Sequence, residues 1–201
     1  MKQDNWTVLR LQYIINFQRL KSPVILKRKV LTAVYMEILL LGNELLHKKA
    51  EIINPIGPEY VEIAAALIEA LHIGKGIGLA GPQVGMLERI FAIHIEGDIP
   101  RIFINPSIIE TSSELLKFEE GCLSIPGLYA DVIRPQTIKI QAWNENGKPF
   151  VLDASGLLAR VILHEYDHLE GLLFTDRVSE QKRVRLIAKY EKMSQKKAKS
   201  N

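Results

Sequence analysis

His164-Glu165-Tyr166-Asp167-His168 sets two imidazoles four residues apart, with a carboxylate directly after the first. On a helix, residues i and i+4 lie one above the other, so both rings can reach one metal ion. Glu165 then stands where it can take a proton from a water activated by that metal. Coincidence is a poor account of the motif, because the whole chain has only five histidines. A hydrolytic site of this kind needs a third protein ligand and an open position for water. The stretch after His168, Leu-Glu-Gly-Leu-Leu-Phe-Thr-Asp, holds no histidine and offers only Glu170 and Asp176 as oxygen donors. Upstream, the single cysteine lies in Glu120-Gly121-Cys122-Leu123-Ser124. A lone cysteine is most often an inert buried residue, yet Cys122 also offers a thiolate. Spacing alone leaves the third ligand open among these three.

Periodicity supplies the elements that must carry these groups. Residues 156–169 repeat apolar side chains at helical spacing through Leu157, Leu158, Val161, Ile162 and Leu169, and Gly171 ends the run. Residues 58–73 form another such run, from Val61 to Leu71, opening at Pro58 and stopping at Gly74. Met36–Gly42 reads as a first strand or turn. Strand-like runs fall at Arg89–Ile95, Arg101–Ile104, Leu115–Phe118, Val132–Ile133 and Thr137–Trp143, and Asn146-Gly147 marks a hairpin turn. A second amphipathic helix is expected over 178–193, fading into a Lys-rich tail. There is no internal repeat and no long linker, so one α+β domain is the economical reading.

The 201 residues, 47% of them apolar, suffice for one full hydrophobic core and exclude a disordered or disulfide-stapled chain. One cysteine cannot close an internal disulfide, which points to a reducing cytoplasm. No apolar run approaches the roughly 18 residues of a membrane span. The net charge of +3 divides sharply along the chain. Residues 1–35 carry +6, residues 36–175 carry −9 and residues 176–201 carry +6. The first 35 residues are expected to be a loosely ordered basic extension, or translated sequence before a start at Met36, with organelle targeting as the alternative. Nothing in the pattern indicates sequence-specific nucleic-acid recognition.

Three ordered segments resemble the peptide deformylases: G-I-G-L-A-G-P-Q at 76–83, E-G-C-L-S at 120–124 and H-E-Y-D-H-L-E-G at 164–171. With weaker similarity around them, the resemblance covers roughly 36–180. It implies an α+β fold with antiparallel β-sheets packed around a central metal-binding helix, a catalytic domain over 36–177 and a basic helix and tail over 178–201. It also implies hydrolytic removal of the formyl group from N-formylmethionyl peptides. The metal ligands implied are Cys122, His164 and His168, and the metal Fe²⁺, with Zn²⁺, Ni²⁺ or Co²⁺ as substitutes. A Cys/His/His set by itself would have pointed to zinc.

By the same resemblance Glu165 is the general base and then acid. Gln83 and the backbone N–H of Leu123 donate to the developing oxyanion. Ile77 and Gly78 pair with the substrate as an added strand, and Glu120 and Gly121 line its site. Asp167 is expected to pair with Arg134, which would orient the helix. Three departures stand out. Gly81 replaces a usual alanine and should leave more room beside Gln83, Tyr129 replaces an arginine, and G-N-E-L-L-H replaces P-D-P-x-L-R. A zinc endopeptidase and a metal-binding module without turnover are the competing readings. The basic C-terminal segment would suit docking on a ribosome.

Overall fold

A computed structural model describes residues 36–200, so the expectation for residues 1–35 lies outside the described residues. Helix α1 (Glu59–Ile73) has Pro58 as its N-cap and Gly74 as its C-cap. Seven strands follow: β1 (Gly78–Ala80), β2 (Ile90–Ile93), β3 (Arg101–Thr111), β4 (Leu115–Cys122), β5 (Ile125–Pro135), β6 (Thr137–Trp143) and β7 (Pro149–Ser155). Helix α2 (Gly156–Leu169) carries the two-histidine motif, and helix α3 (Glu180–Ser200) ends the described chain.

Five strands form one antiparallel sheet in the order β1-β2-β3-β6-β7, while β4 and β5 form a separate hairpin. The run Ile-Phe-Ala-Ile of β2 is apolar throughout because both of its faces are covered. Ile90 and Ala92 turn towards α1, where they join Leu67, Leu71 and Leu79. Phe91 and Ile93 turn the other way, joining Phe103, Ala159 and Ile162 beneath α2. Successive residues of a strand alternate between faces, so one strand serves two cores. The sheet thereby fixes α2 from behind. A third cluster joins Ile125, Leu128 and Val132 of β5 to Phe174 and to Tyr190 of α3.

Several elements run longer than their sequence patterns. The expected strand at Arg101–Ile104 continues to Thr111, with register shifts after Ile104 and Ile108. Val132–Ile133 proves to lie near the end of an eleven-residue strand, Ile125–Pro135. That strand alternates cleanly, with Leu128, Ala130, Val132 and Arg134 inward, but its inward face ends in a charge and breaks the apolar signal. Helix α3 extends to Ser200 rather than 193. Met36–Gly42 forms no strand: it is irregular and turns at Leu41-Gly42. It still bridges two parts of the site, since Leu39 N–H donates to Gln83 O (2.7 Å) and Leu41 N–H to Ser124 O (2.8 Å).

Gly81 corrects one expectation. It opens a 3₁₀ turn (Gly81–Val84), and a Cβ there would lie 2.8 Å from the Met86 carbonyl oxygen and 2.9 Å from that of Glu88. The space that an alanine would use is filled by backbone, so the glycine leaves no room to spare. Gly81→Ala should lower the urea midpoint and cost about 1–3 kcal/mol, because carbonyls cannot swing aside like side-chain ends. An unchanged midpoint would show that the 86–88 loop yields freely.

Candidate metal centre and active site

Helix α2 presents its motif inward, with Glu165, Asp167 and both histidines buried. The helix stops where it must. Gly171 N–H donates to His168 O and Leu172 N–H to Asp167 O, with Gly171 at φ +74°, a left-handed turn that closes the last helical carbonyls. Cys122 ends β4 beside the two-residue turn Leu123-Ser124. The hairpin thus delivers the thiol to the helix. The ligand atoms of Cys122, His164 and His168 all lie within 4.8 Å of one another. Cys122 Sγ is 3.3 Å from His168 Nε2.

This donor set fits a resident metal ion. His164 Nδ1 contacts Glu120 Oε2 at 2.9 Å, which leaves Nε2 for a metal, the usual arrangement for a ligating histidine. Burial holds His168 well below the usual imidazole range, which favours the neutral ring that a metal ligand needs. The competing donors are committed elsewhere. Glu170 binds Arg89 (2.7 Å) and Lys49 (2.6 Å), while Asp176 Oδ2 accepts Leu173 N–H at 2.8 Å.

Glu165 lies against the edge strand, where a Cβ on Gly78 would meet its Oε1 at 2.2 Å. A side chain at position 78 would therefore displace the carboxylate. Its other oxygen, Oε2, is buried with no hydrogen-bond partner among the described residues. Burial pushes the carboxyl up to about 7, partly opposed by His164 and reinforced by Glu120. Such a group can both take and return a proton near neutrality.

Gln83 is 1% exposed, and its Oε1 accepts Ala80 N–H at 2.8 Å. Its amide nitrogen consequently faces the cysteine, donating to Cys122 Sγ (3.4 Å) and Ser124 Oγ (3.2 Å). Strand β1 is an edge strand. The carbonyl of Ile77 already accepts His94 N–H at 3.0 Å, so alternation assigns the open-edge backbone groups to Gly78. Between this edge and the β4–β5 hairpin lies a cleft of about 430 Å³ bordered by Gly78, Gln83, Glu120, Gly121, Leu123 and Glu165. Tyr129 stands at its mouth, 62% exposed, with its ring over Gly121.

Beneath the cleft, Arg134 binds Glu120 through Nε (2.7 Å) and Nη2 (2.9 Å), and Asp167 through Nη1 (2.7 Å). The pair expected from sequence is thus part of a wider network. Burial opposes ionisation of Glu120, but hydrogen bonds from His164 and Arg134 outweigh it and hold the carboxyl far below its usual range. Sequence reasoning assigned nothing to Arg177, which forks onto Asp167, to Ser124, or to Arg160, which joins Glu120 at 3.0 Å. Arg160 alone left a trace: a charge among the apolar residues of the helix's first half, four positions before His164 and on the same face.

A cysteine thiol brought against two imidazoles and a buried carboxyl group, on a helix held by antiparallel sheets, defines a metal-dependent hydrolase of α+β fold. The profile described as polypeptide deformylase matches residues 35–184. The chain belongs to the polypeptide deformylase family, which removes the N-formyl group from nascent polypeptides and depends on a metal. It is 41% identical to the peptide deformylase of Treponema pallidum (strain Nichols) over 155 residues, 77% of this chain and 95% of that one. It is 44% identical to that of Borreliella burgdorferi over 157 residues, 77% and 94% of the two chains. The crystal structure of a peptide deformylase from Legionella pneumophila superposes with a TM-score of 0.76 at 34% identity, covering 81% of this chain and 96% of that one. One from Synechococcus elongatus, solved in complex with actinonin, gives 0.74 at 38% identity, covering 80% and 89%.

Proposed function

We propose that Cys122, His164 and His168 hold a ferrous ion and that Glu165 is the proton carrier in removal of the formyl group from N-formylmethionyl peptides. The observation that carries this is Glu165 Oε2, buried beside three converging donor groups with no hydrogen-bond partner among the described residues. When bound, the ion supplies a Lewis acid that acidifies water and polarises the formyl carbonyl. The substrate backbone pairs with the open edge at Gly78, supported by Ile77, while Glu120 and Gly121 floor the cleft and apolar side chains enclose the methionine. Glu165 takes a proton from the attacking water at Oε2 and returns it to the amine nitrogen as the C–N bond breaks. Gln83 Nε2 and Leu123 N–H donate to the formyl oxygen as it gains charge, each worth about 3 kcal/mol when removed. Arg134 and Asp167 hold the helix to the hairpin while this happens.

The test is anaerobic assay of the full chain loaded with Fe²⁺, Zn²⁺, Ni²⁺ or Co²⁺ against formyl-Met-Ala-Ser and the unformylated peptide. Formate release from the first alone is expected, with the ferrous enzyme losing activity in air. Cleavage of an internal peptide bond without formate would refute the reading, and equal activity in air would refute iron.

Among the described residues, no helix is long and apolar enough to cross a membrane. A thiolate metal ligand also suits a reducing compartment, so we place the enzyme in the cytoplasm. We further propose that α3 docks on the RNA-rich surface of a ribosome. Tyr190 anchors the helix to the core while Arg185, Lys189 and Lys192 remain exposed. Charge reversal at these three positions in the full chain should reduce salt-sensitive co-sedimentation with ribosomes. Unchanged co-sedimentation would count against docking.

A further inference from the structure

Arg160 lies one helical turn before His164 and is 6% exposed, although it carries a full charge. Its guanidinium donates three hydrogen bonds. Nη1 donates to Glu120 Oε1 (3.0 Å) and to the Val132 carbonyl (3.1 Å), and Nη2 donates to the Leu116 carbonyl. Leu116 belongs to β4 and Val132 to β5, so one helical side chain holds both strands of the hairpin. Its carbon Cζ also lies 5.9 Å from the centre of the Phe118 ring, which lines the cleft.

The consequence follows from where the ligands sit. The hairpin carries Cys122 and α2 carries both histidines, so the ligand set is complete only when hairpin and helix are in register. Hydrophobic contact is non-directional and does not select one orientation of hairpin against helix. A guanidinium fork sets that orientation tightly, because its planar donors must meet fixed acceptors. Two forks cross the junction in opposite directions. Arg134 reaches from β5 to Asp167 on the helix, and Arg160 reaches from the helix to β4 and β5. Both end on Glu120, whose other contact is His164 Nδ1.

We propose that Arg160 is a positioning residue that locks the Cys122 hairpin to the His164/His168 helix and thereby sets the affinity of the metal centre. It acts through Glu120 and two backbone carbonyls and lies outside the Cys122, His164 and His168 donor set. The proposal rests on the metal-dependent reading of this ligand set.

Cobalt tests it with a readout other than activity. Full-length protein is loaded anaerobically with Co²⁺, its affinity is measured by chelator competition, and thiolate-to-cobalt absorption reports ligation by Cys122. Absence of that band in the unsubstituted protein would overturn the metal reading itself, a result distinct from failure of the proposal. Given the band, Arg160→Gln should weaken Co²⁺ affinity roughly 10- to 100-fold, as loss of a supporting contact does at other metal sites, and diminish the band. Arg160→Lys, with one nitrogen where the guanidinium uses two, should recover only part of both. If Arg160→Gln folds by circular dichroism and keeps the affinity and band of the unsubstituted protein, the proposal is overturned, and the contacts serve stability alone. Should Arg160→Gln not fold, Arg160→Lys decides by the same two readouts.

Discussion

Replacing Glu165 with glutamine should lower formate release by roughly 100- to 10,000-fold while leaving the bound metal in place. The amide keeps the size of the carboxylate, so it still packs against Gly78, where no side chain intervenes. It also lies outside the Cys122, His164 and His168 donor set. What is lost is a group that can take a proton and give it back. Burial, which pushes the native carboxyl up to about 7, makes it suited to both roles near neutral pH. Metal content measured beside formate release separates the two effects. Loss of both together would mean that Glu165 serves the ligand set rather than the chemistry, and retained turnover would remove it from the mechanism.

Cys122→Ser has the second large expected effect, and it strikes the opposite function. Serine nearly preserves the shape but replaces a readily ionised sulfur with a hydroxyl that stays protonated at neutral pH. Metal affinity should fall by more than roughly 100-fold, beyond what the loss of a ligand's supporting partner costs. The metal-free protein should melt close to the unsubstituted one, since Cys122 is only half-buried and its contacts with Gln83 and His168 can pass to the hydroxyl. Metal-induced stabilisation should therefore vanish with little change in the metal-free Tm. The measurement is a thermal melt of each protein with and without metal. Equal metal-induced shifts would place the thiol outside the coordination sphere.

These two residues were unequally legible. Glu165 and its flanking histidines sit within one helical turn, so helix geometry alone brings them together. Cys122 lies 46 residues from His168, and no local rule connects them. Only the resemblance of E-G-C-L-S to a known family singled it out from Glu170 and Asp176. The structure separates the three by their partners, committing both carboxylates to cations and backbone. Helix α1, with a proline start, an apolar period and a glycine stop, matched its pattern to within a residue. Strand β5 did not, because a strand whose buried face ends in Arg134 satisfies that charge through Glu120 and Asp167, partners far away in sequence.

Gly81 and Arg160 mark the same boundary. An open position in the sequence proved to be filled by the carbonyls of Met86 and Glu88, and a charge within the apolar first half of a helix proved to hold two strand carbonyls. Backbone groups are identical at every position, so no side-chain pattern announces which of them will be neighbours. Periodicity and i, i+4 spacing are local, so the helices, most of the strands, the paired histidines and the carboxylate beside them were legible without the fold. The tertiary structure alone decided the spacing of hairpin and helix, the facing of Gln83 and the charge network under His164. Those depend on contacts between segments that only the folded chain brings together.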